Sequence, residues 1–489
     1  MTRQLDIADS VRRQVAPRIG QRRKAALGQF MTPSSVARFM AGLFPPSSIP
    51  ICRLLDAGAG VGALSCAFID RWVAGDFGFQ AIEVTAYEID DTLRAHLARH
   101  LAAYAGIRTE ILGGDYIESA TAADPQASTY THVILNPPYK KIANDSVHRR
   151  ALRAVGIETV NLYSAFVALA LAQTAPGGQV VAIIPRSFCN GPYYRPFRDF
   201  ILERAAIRHI HLFGSRKEAF RDDDVLQENI IVRLERAGLQ GPVTVTTSTD
   251  DSFSDLATTE HPFDRIVFPE APGGFIHVPT SSGKTALELS PAVRYSLSDL
   301  GISVSTGPVV DFRLKEHLRA MPTEDAVPLL YPAHFSESGM TWPIEGMKKP
   351  NAIVRNTSTE KWLYPKGFYC VVRRFSSKEE RRRIVANVVE PTAFPGHSAL
   401  GLENHINLFH ENKRGLPELL ARGLAVFLNT TAVDEAFRRF NGHTQVNATD
   451  LKLMKYPNRK ALIALGQWAM GHKRLTQDQI DAKLGTLTE

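Results

Sequence analysis

The chain has 489 residues, 44% of them apolar and 22% charged, so it can bury more than one core and is neither disordered nor fibrous. Lysine and arginine total 57 against 50 acidic residues, a formal net charge of +7, which points to a polyanionic partner without demanding one. Cys52, Cys66, Cys189 and Cys370 lie far apart with no CxxC pair, and no uncharged run has the length of a membrane span. A disulfide framework, a structural metal and the secreted and integral-membrane classes are therefore set aside, and a cytoplasmic location is expected.

Residues 1–27 carry seven basic residues against two acids and read as a helical or partly ordered arm. From Thr32, the run TPSSVARFMAGLF offers Ser or Thr capping groups and then Val36, Phe39, Met40 and Leu43 at helical spacing, before PPSSIP breaks it. Between 51 and 235, six short apolar runs (ICRLLDAG, AIEVTAYEID, HVILNPPY, VVAIIP, IRHIHLF, NIIVRLE) alternate with helical stretches, which implies an α/β domain on a mostly parallel sheet. A strand and a Ser-, Thr-, Pro- and Gly-rich linker follow over 241–294, and a second domain begins near 295. It shows short strands around 350–375 and amphipathic helices around 415–440 and 459–486.

In LLDAGAGVGAL, Asp56 ends a buried strand, and Gly58, Gly60 and Gly62 lead into a helix, so the backbone can turn tightly and approach a ligand. This spacing departs from GxGxxG and suits a ligand without pyrophosphate, such as S-adenosylmethionine. A plain strand-to-helix turn is the alternative. Glu88 in YEID ends the next strand, where a carboxylate can accept ribose hydroxyls, and Asp115 in LGGDYI follows a third apolar run, where it could accept from an adenine amino group. Singly each acid is as well explained as a loop carboxylate or helix cap; three in succession at strand ends are not.

VILNPPYKK sets Asn136, Pro137, Pro138 and Tyr139 directly after another strand, at the same sheet edge. Two prolines fix the backbone and remove two donors, leaving carbonyls to accept. If the Asn136 side-chain oxygen and the Pro137 carbonyl accept the hydrogens of an exocyclic amino group, its nitrogen moves toward tetrahedral geometry and its lone pair can meet a sulfonium methyl. Tyr139 would stack on the planar base. An Asn-Pro turn with an exposed Tyr is the alternative for the tetrapeptide alone.

GQFMTP (Gly28 to Pro33), DAGAGVGAL, YEID, GDYI, NPPY and GGQVVAIIPRSF occur in an order that resembles the gamma group of adenine-N6 DNA methyltransferases, over residues 24–235. The resemblance implies that Thr32 and Pro33 help close an S-adenosylmethionine pocket, that Asp56, Gly58 and Gly60 line its methionine end, and that Glu88 and Asp115 hold ribose and adenine. It further implies a phenylalanine stacked on the flipped base; EAFRDDDVLQENIIV offers Phe220, for which core packing is the alternative.

The region from 295 resembles enzymes of the BsuBI/PstI type through STGPVVDFR (Ser305 to Arg313) and FNGHTQVNATDLKLMKYP (Phe440 to Pro457), which implies a target-recognition domain. Residues 348–383 independently carry eleven basic and three acidic residues, a net +8 that exceeds the charge of the whole chain, interleaved with five aromatics. Arg373, Arg374, Arg381, Arg382 and Arg383 are candidate DNA contacts, and Gln445 and Asn447 candidate base readers. A solvated helix face explains EERRRI equally well, and polar residues in a turn between two helices would look like Gln445 and Asn447.

The expected architecture is an α/β, Rossmann-like class I S-adenosylmethionine-dependent methyltransferase domain with a C-terminal α+β target-recognition domain. Its boundaries are 1–50 for the basic arm and cofactor-closing helix, 51–240 for the catalytic domain, 241–294 for strand and linker, and 295–489 for target recognition. The expected activity is site-specific adenine-N6 methylation of double-stranded DNA within a restriction-modification or related defence system, alongside a separate endonuclease or defence proteins, with no metal and no membrane. The alternatives are methylation of cytosine N4 or RNA, and a catalytically inactive DNA-specificity subunit.

Overall fold

The run ICRLLDA becomes β1 (Ile51–Ala57), whose last four residues are all buried, as a central parallel strand covered on both faces requires. The computed structural model describes residues 3–18, 31–123, 129–214, 228–267, 274–279, 290–336, 339–376, 380–440, 445–472 and 474–486. They fall into two compact units, Met1–Ser282 and Gly283–Glu489.

In the first unit the chain continues through β2 (Ala81–Tyr87), β3 (Ile107–Leu112), β4 (Tyr130–Leu135), β5 (Thr174–Pro185), β6 (Ala205–Phe213), β7 (Asn229–Arg236), β8 (Val243–Ser248) and β9 (Ala257–His261). Among the described residues these strands form one sheet in the order β3-β2-β1-β4-β5-β7-β6-β8-β9. Strands β1 to β5 are parallel, and β7 runs antiparallel to both β5 and β6. The chain leaves β1 for β2 and β3 on one side and resumes at β4 on the other. The crevice at the carboxyl ends of β1 and β4 is thus the topological switch point, where open α/β sheets bind ligands.

Alternation along β5 splits the core in two. Val180, Ala182 and Ile184 pack on one face, and Val181 and Ile183 on the other, joined there by Ile134 and Ile231. The second face is covered by helices α1 (Gln4–Val15), α2 (Ser34–Gly42) and α3 (Ala63–Val73), which contribute Leu5, Val36 and Phe68.

One expectation for the N-terminus is met and one needs correction. The described part of the basic arm is helical, as expected, and packed: Arg12 is buried with its Nε 2.8 Å from Asp9 Oδ1, whereas Arg13, which bonds the other carboxylate oxygen, keeps an exposed side chain. Burial by itself would raise the Asp9 pKa, but Arg12, Arg13 and the Ser34 amide together hold it below the usual carboxylate range. The correction is that α2 is not capped by its own Ser or Thr. Pro33 occupies the cap position with no side-chain bond, and the Ser34 amide donates to Asp9 Oδ1 at 3.2 Å, so the cap comes from α1.

In the second unit an antiparallel sheet runs in the order Ser303–Thr306, Ile406–His410, Tyr369–Arg373, Ala386–Val389. A second sheet orders Leu318–Arg319, Ala352–Val354, Ala326–Leu330, Ala399–Leu402 and Leu363–Pro365. The helices Glu418–Leu428 and Arg459–Met470 cross at Gly423 and Gly466. A Cβ on Gly423 would overlap the Leu462 carbonyl oxygen, and one on Gly466 the Leu419 carbonyl oxygen, so no other residue allows this approach. Within the described residues no helix is long and apolar enough to cross a membrane.

Candidate active site and nucleic-acid interface

After β1 the chain turns through Gly58, Gly60 and Gly62, all at positive φ (86°, 59° and 91°), which glycine adopts without steric cost. The Gly58 and Ala59 amides both donate to the Tyr87 carbonyl, at 2.9 and 2.8 Å, docking the turn on the end of β2. A Cβ on Gly60 would project into open space, whereas one on Gly62 would lie 2.8 Å from Leu97 Cδ1. The second glycine keeps a cleft open and the third lets two helices pack.

Glu88 follows β2. Its Oε2 accepts from the Gly60 amide at 2.8 Å and its Oε1 from the Asp90 amide at 2.7 Å. Burial pushes its pKa up, and these two amides pull against it. Asp115 caps α4 (Tyr116–Ala122), with Oδ1 accepting from the Ile117 and Glu118 amides at 2.8 and 3.1 Å, while Oδ2 lies 3.1 Å from His148 Nε2 on α5 (Val147–Ala154). Asp56 is fully buried. Its Oδ2 accepts from the Ser65 hydroxyl (2.6 Å) and amide (3.2 Å), and its Oδ1 has no partner. Burial pushes this carboxyl up to about 7; the Ser65 hydrogen bonds oppose the rise, and the nearby Glu88 charge adds to it.

These elements enclose a cleft of about 230 Å³ at the switch point, lined by Met31, Thr32, the glycine turn, Glu88, Asp115, Asn136 and Pro138. Lys140, His148, Leu162 and Phe166 also line it and carry no sequence signal of their own. Pro33, Pro137 and Tyr139 are adjacent in the chain to lining residues, and Asp56 lies two residues before Gly58, without any of them forming the wall.

The end of β4 is held from two sides. Asn136 Nδ2 donates to the Thr32 hydroxyl at 3.1 Å, and Asn136 Oδ1 lies 3.1 Å from the Tyr139 hydroxyl, which is also 3.2 Å from the Ile183 carbonyl. The Tyr139 ring meets Tyr163 edge-on, and burial drives its phenol above the ordinary range. The amide of Asn136 is therefore oriented with its acceptor oxygen toward a hydroxyl that a substrate donor could replace. Phe220 lies outside the described residues.

In the second unit the candidate DNA contacts separate. Arg381 is exposed. Arg373 pairs with Glu380; Arg374 donates to the Asn404 carbonyl (3.1 Å) and to Gln445 Oε1 (3.2 Å). Arg382 reaches Gln477 Oε1 (2.7 Å) and the carbonyls of Thr430 and Ile384. Arg383 is fully buried, its Nε on the Ser376 hydroxyl and its amide on Asp434 Oδ1, which corrects its assignment as a DNA contact. The described part of EERRRI, residues 380–384, contains no helix. Asn447 is likewise committed to structure, forming a capping box with Asp450 at the start of helix Ala448–Leu453. Phe375 remains 40% exposed and lies against His405 with the rings tilted by 40° and centroids 4.8 Å apart.

A sheet ordered 3-2-1-4-5-7-6 with β7 reversed, a glycine turn after β1, acids after β2 and β3 and an NPPY segment after β4 are together the arrangement of a Rossmann-like class I methyltransferase domain. Residues 100–220 match the family described as Eco57I restriction-modification methylase. Along its whole length the chain is similar to the type II methyltransferase M.BsuBI of Bacillus subtilis, 49% identical over 501 residues that cover 100% of this chain and 98% of that protein. It is 42% identical over 470 residues to the type II methyltransferase M.PstI of Providencia stuartii, covering 93% and 92%. The chain belongs to this family, the type II DNA methyltransferases of restriction-modification systems.

Proposed function

We propose that the chain transfers a methyl group from S-adenosylmethionine to N6 of an adenine turned out of duplex DNA, and that it protects the sites of a separate restriction endonuclease. The observation that carries this reading is Asn136: its oxygen is a fixed acceptor at the rim of the cleft, followed by two prolines that have no N–H to compete for an incoming amino group.

The cleft fits the cofactor. Gly60 leaves open the space that a Cβ would fill, and the buried Asp56 Oδ1, two residues before the turn, is an unpaired acceptor suited to the cationic end of an amino acid. Glu88 keeps lone pairs for ribose hydroxyls, and Asp115 offers an acceptor at the adenine end. When bound, S-adenosylmethionine supplies an electrophilic methyl on a sulfonium. Asn136 Oδ1 and the Pro137 carbonyl accept the two amino hydrogens, which withdraws the nitrogen lone pair from the ring and turns it toward that methyl. The Tyr139 hydroxyl leaves Asn136 as the base arrives, so the acceptor exchanges one donor for another. A stacked base cannot reach a sheet-edge cleft, so the target must be extrahelical. The second unit would supply phosphate and base contacts, with Arg381 and the exposed Phe375 surface the accessible candidates.

Sequencing DNA from cells that express the protein, with detection of modified bases, tests this. N6-methyladenine at one recurring site is the expected result; N4-methylcytosine there, or no modification, overturns it.

A further inference from the structure

The carboxyl edge of the sheet holds a polar side chain that none of the roles above uses. Asn229 opens β7, is 4% exposed, and has both its amide oxygen and its amide nitrogen buried with no hydrogen-bond partner. An amide in that state is costly, and a native structure that retains one needs a reason for it. The backbone there is clamped. Pro185 of β5 is the register partner of Asn229, and beside them Arg186 Nη1 lies 2.7 Å from Glu228 Oε1, both side chains 4% exposed, while the Arg186 amide donates to the Glu228 carbonyl at 2.7 Å.

Register fixes the face on which Asn229 lies. Ile134, Ile183 and Ile231 belong to one packed face of the sheet. Asn136 stands two residues after Ile134 and Asn229 two residues before Ile231, so by alternation both share that face. The bond from Asn136 to Thr32, at the start of the α2 segment that covers this face, agrees. Leu212 pairs with Ile230, which brings Phe213, another member of the same face, beside Asn229. Two strand spacings and two residues separate the two asparagines, about 12 Å between backbones, a gap that a base held between two side-chain amides would span.

We propose that Asn229 reads the ring edge of the target base: its amide N–H donates to the ring nitrogen beside the exocyclic amino group, N1 or N7 of adenine, while Asn136 and Pro137 hold the amino hydrogens. This rests on the reading of Asn136 as the amino-group acceptor. Only the donor half of the Asn229 amide is used, because a ring nitrogen needs an N–H and both amino hydrogens stay with Asn136 and Pro137. Thymine and guanine present an N–H on the Watson–Crick edge, and that edge would meet the amide donor with another donor.

The test uses the full chain and duplexes containing the site mapped by sequencing, with adenine, 1-deazaadenine or 7-deazaadenine at the target position. Asn229→Leu is near-isosteric and removes an unpaired buried amide, so it is expected to melt at the same temperature as the wild type or higher, with unchanged S-adenosylmethionine affinity by calorimetry. Its single-turnover rate on adenine is expected to fall about ten- to a hundredfold. The wild type should slow by a similar factor on one of the two deaza duplexes, which identifies the nitrogen, and Asn229→Leu should not slow further on that duplex. A lowered melting temperature with an unchanged rate, or deaza losses that add in full to that of the variant, overturns the proposal; Asn229→Ala gives the same comparison if the leucine variant does not fold. Wild-type failure on adenine itself overturns this proposal and the adenine reading together, whereas an active wild type with an indifferent Asn229→Leu overturns this proposal alone.

Discussion

The two units use their charged side chains in opposite ways. In Met1–Ser282 the carboxylates at strand ends take backbone amides on one side and still line the cleft with the other: Glu88 holds the Gly60 and Asp90 amides, and Asp115 caps a helix, yet both face the switch point. In Gly283–Glu489 most of the candidate arginines of the most basic stretch turn back into the protein, Arg373 to Glu380, Arg382 to Gln477 and two carbonyls, Arg383 to Ser376, while Arg381 stays exposed. A short carboxylate goes where its strand puts it. A guanidinium on a long stem goes to whichever acceptors the completed fold offers, so position along the chain does not decide its role.

The sharpest way to break this contrast is to remove the side-chain acceptor that the catalytic reading requires. Asn136→Ala is expected to lose methyl transfer by about a thousandfold while S-adenosylmethionine binding by calorimetry is retained; full activity would break it. Next, Gly423→Ala should destabilise the second unit by about 3 kcal/mol in calorimetric unfolding, because the added methyl overlaps the Leu462 carbonyl across a tight helix crossing.

A smaller effect concerns acid. Burial holds His132, His209, His211 and His277 of the first unit neutral, with pKa values of about 4, 4, 3 and 4. Their folded-state values lie below the unfolded 6.5, so the stability they contribute is complete above pH 6.5 and is lost as pH falls toward 4. Asp56, near 7 in the fold, has the opposite sign: its contribution is complete at low pH and is lost as pH rises through 7. Four histidines outweigh one carboxyl, so urea unfolding should show stability falling with acid, and His211→Phe should lower the slope by about 1.4 kcal/mol per pH unit. Smallest of all, Arg381→Ala should weaken DNA binding a few-fold and flatten the log-log salt dependence by about one unit, while Arg383→Ala should destabilise the protein instead; equal salt slopes in the two variants would erase the distinction.

Most of the first unit was legible because its signals are local. Strand runs, the glycine turn and NPPY each span fewer than a dozen residues, and the sheet order converts their sequence positions into one edge. What was hidden depended on distant partners. The Asp9 cap on Ser34 spans 25 residues and the Arg383 bond to Asp434 spans 51. Phe166 sits in a helix that is apolar but for Tyr163 and Ser164, Leu162–Ala172, where nothing marks one ring as a cleft wall. Asn447 was readable: Asn-Ala-Thr-Asp has the spacing of a capping box, and that local explanation outranks base reading.

The crossing at Gly423 and Gly466 has a consequence for how the second unit can change over time. An α-helix advances 100° per residue, so a single insertion or deletion on the N-terminal side of either glycine within its helix would rotate it off the contact and bring a bulky neighbour such as Leu424 or Leu465 against the facing carbonyl. These two helices can therefore exchange residues elsewhere on their surfaces but cannot change length ahead of the crossing. Related chains should vary in length in their loops and hold a constant count from each helix start to its glycine.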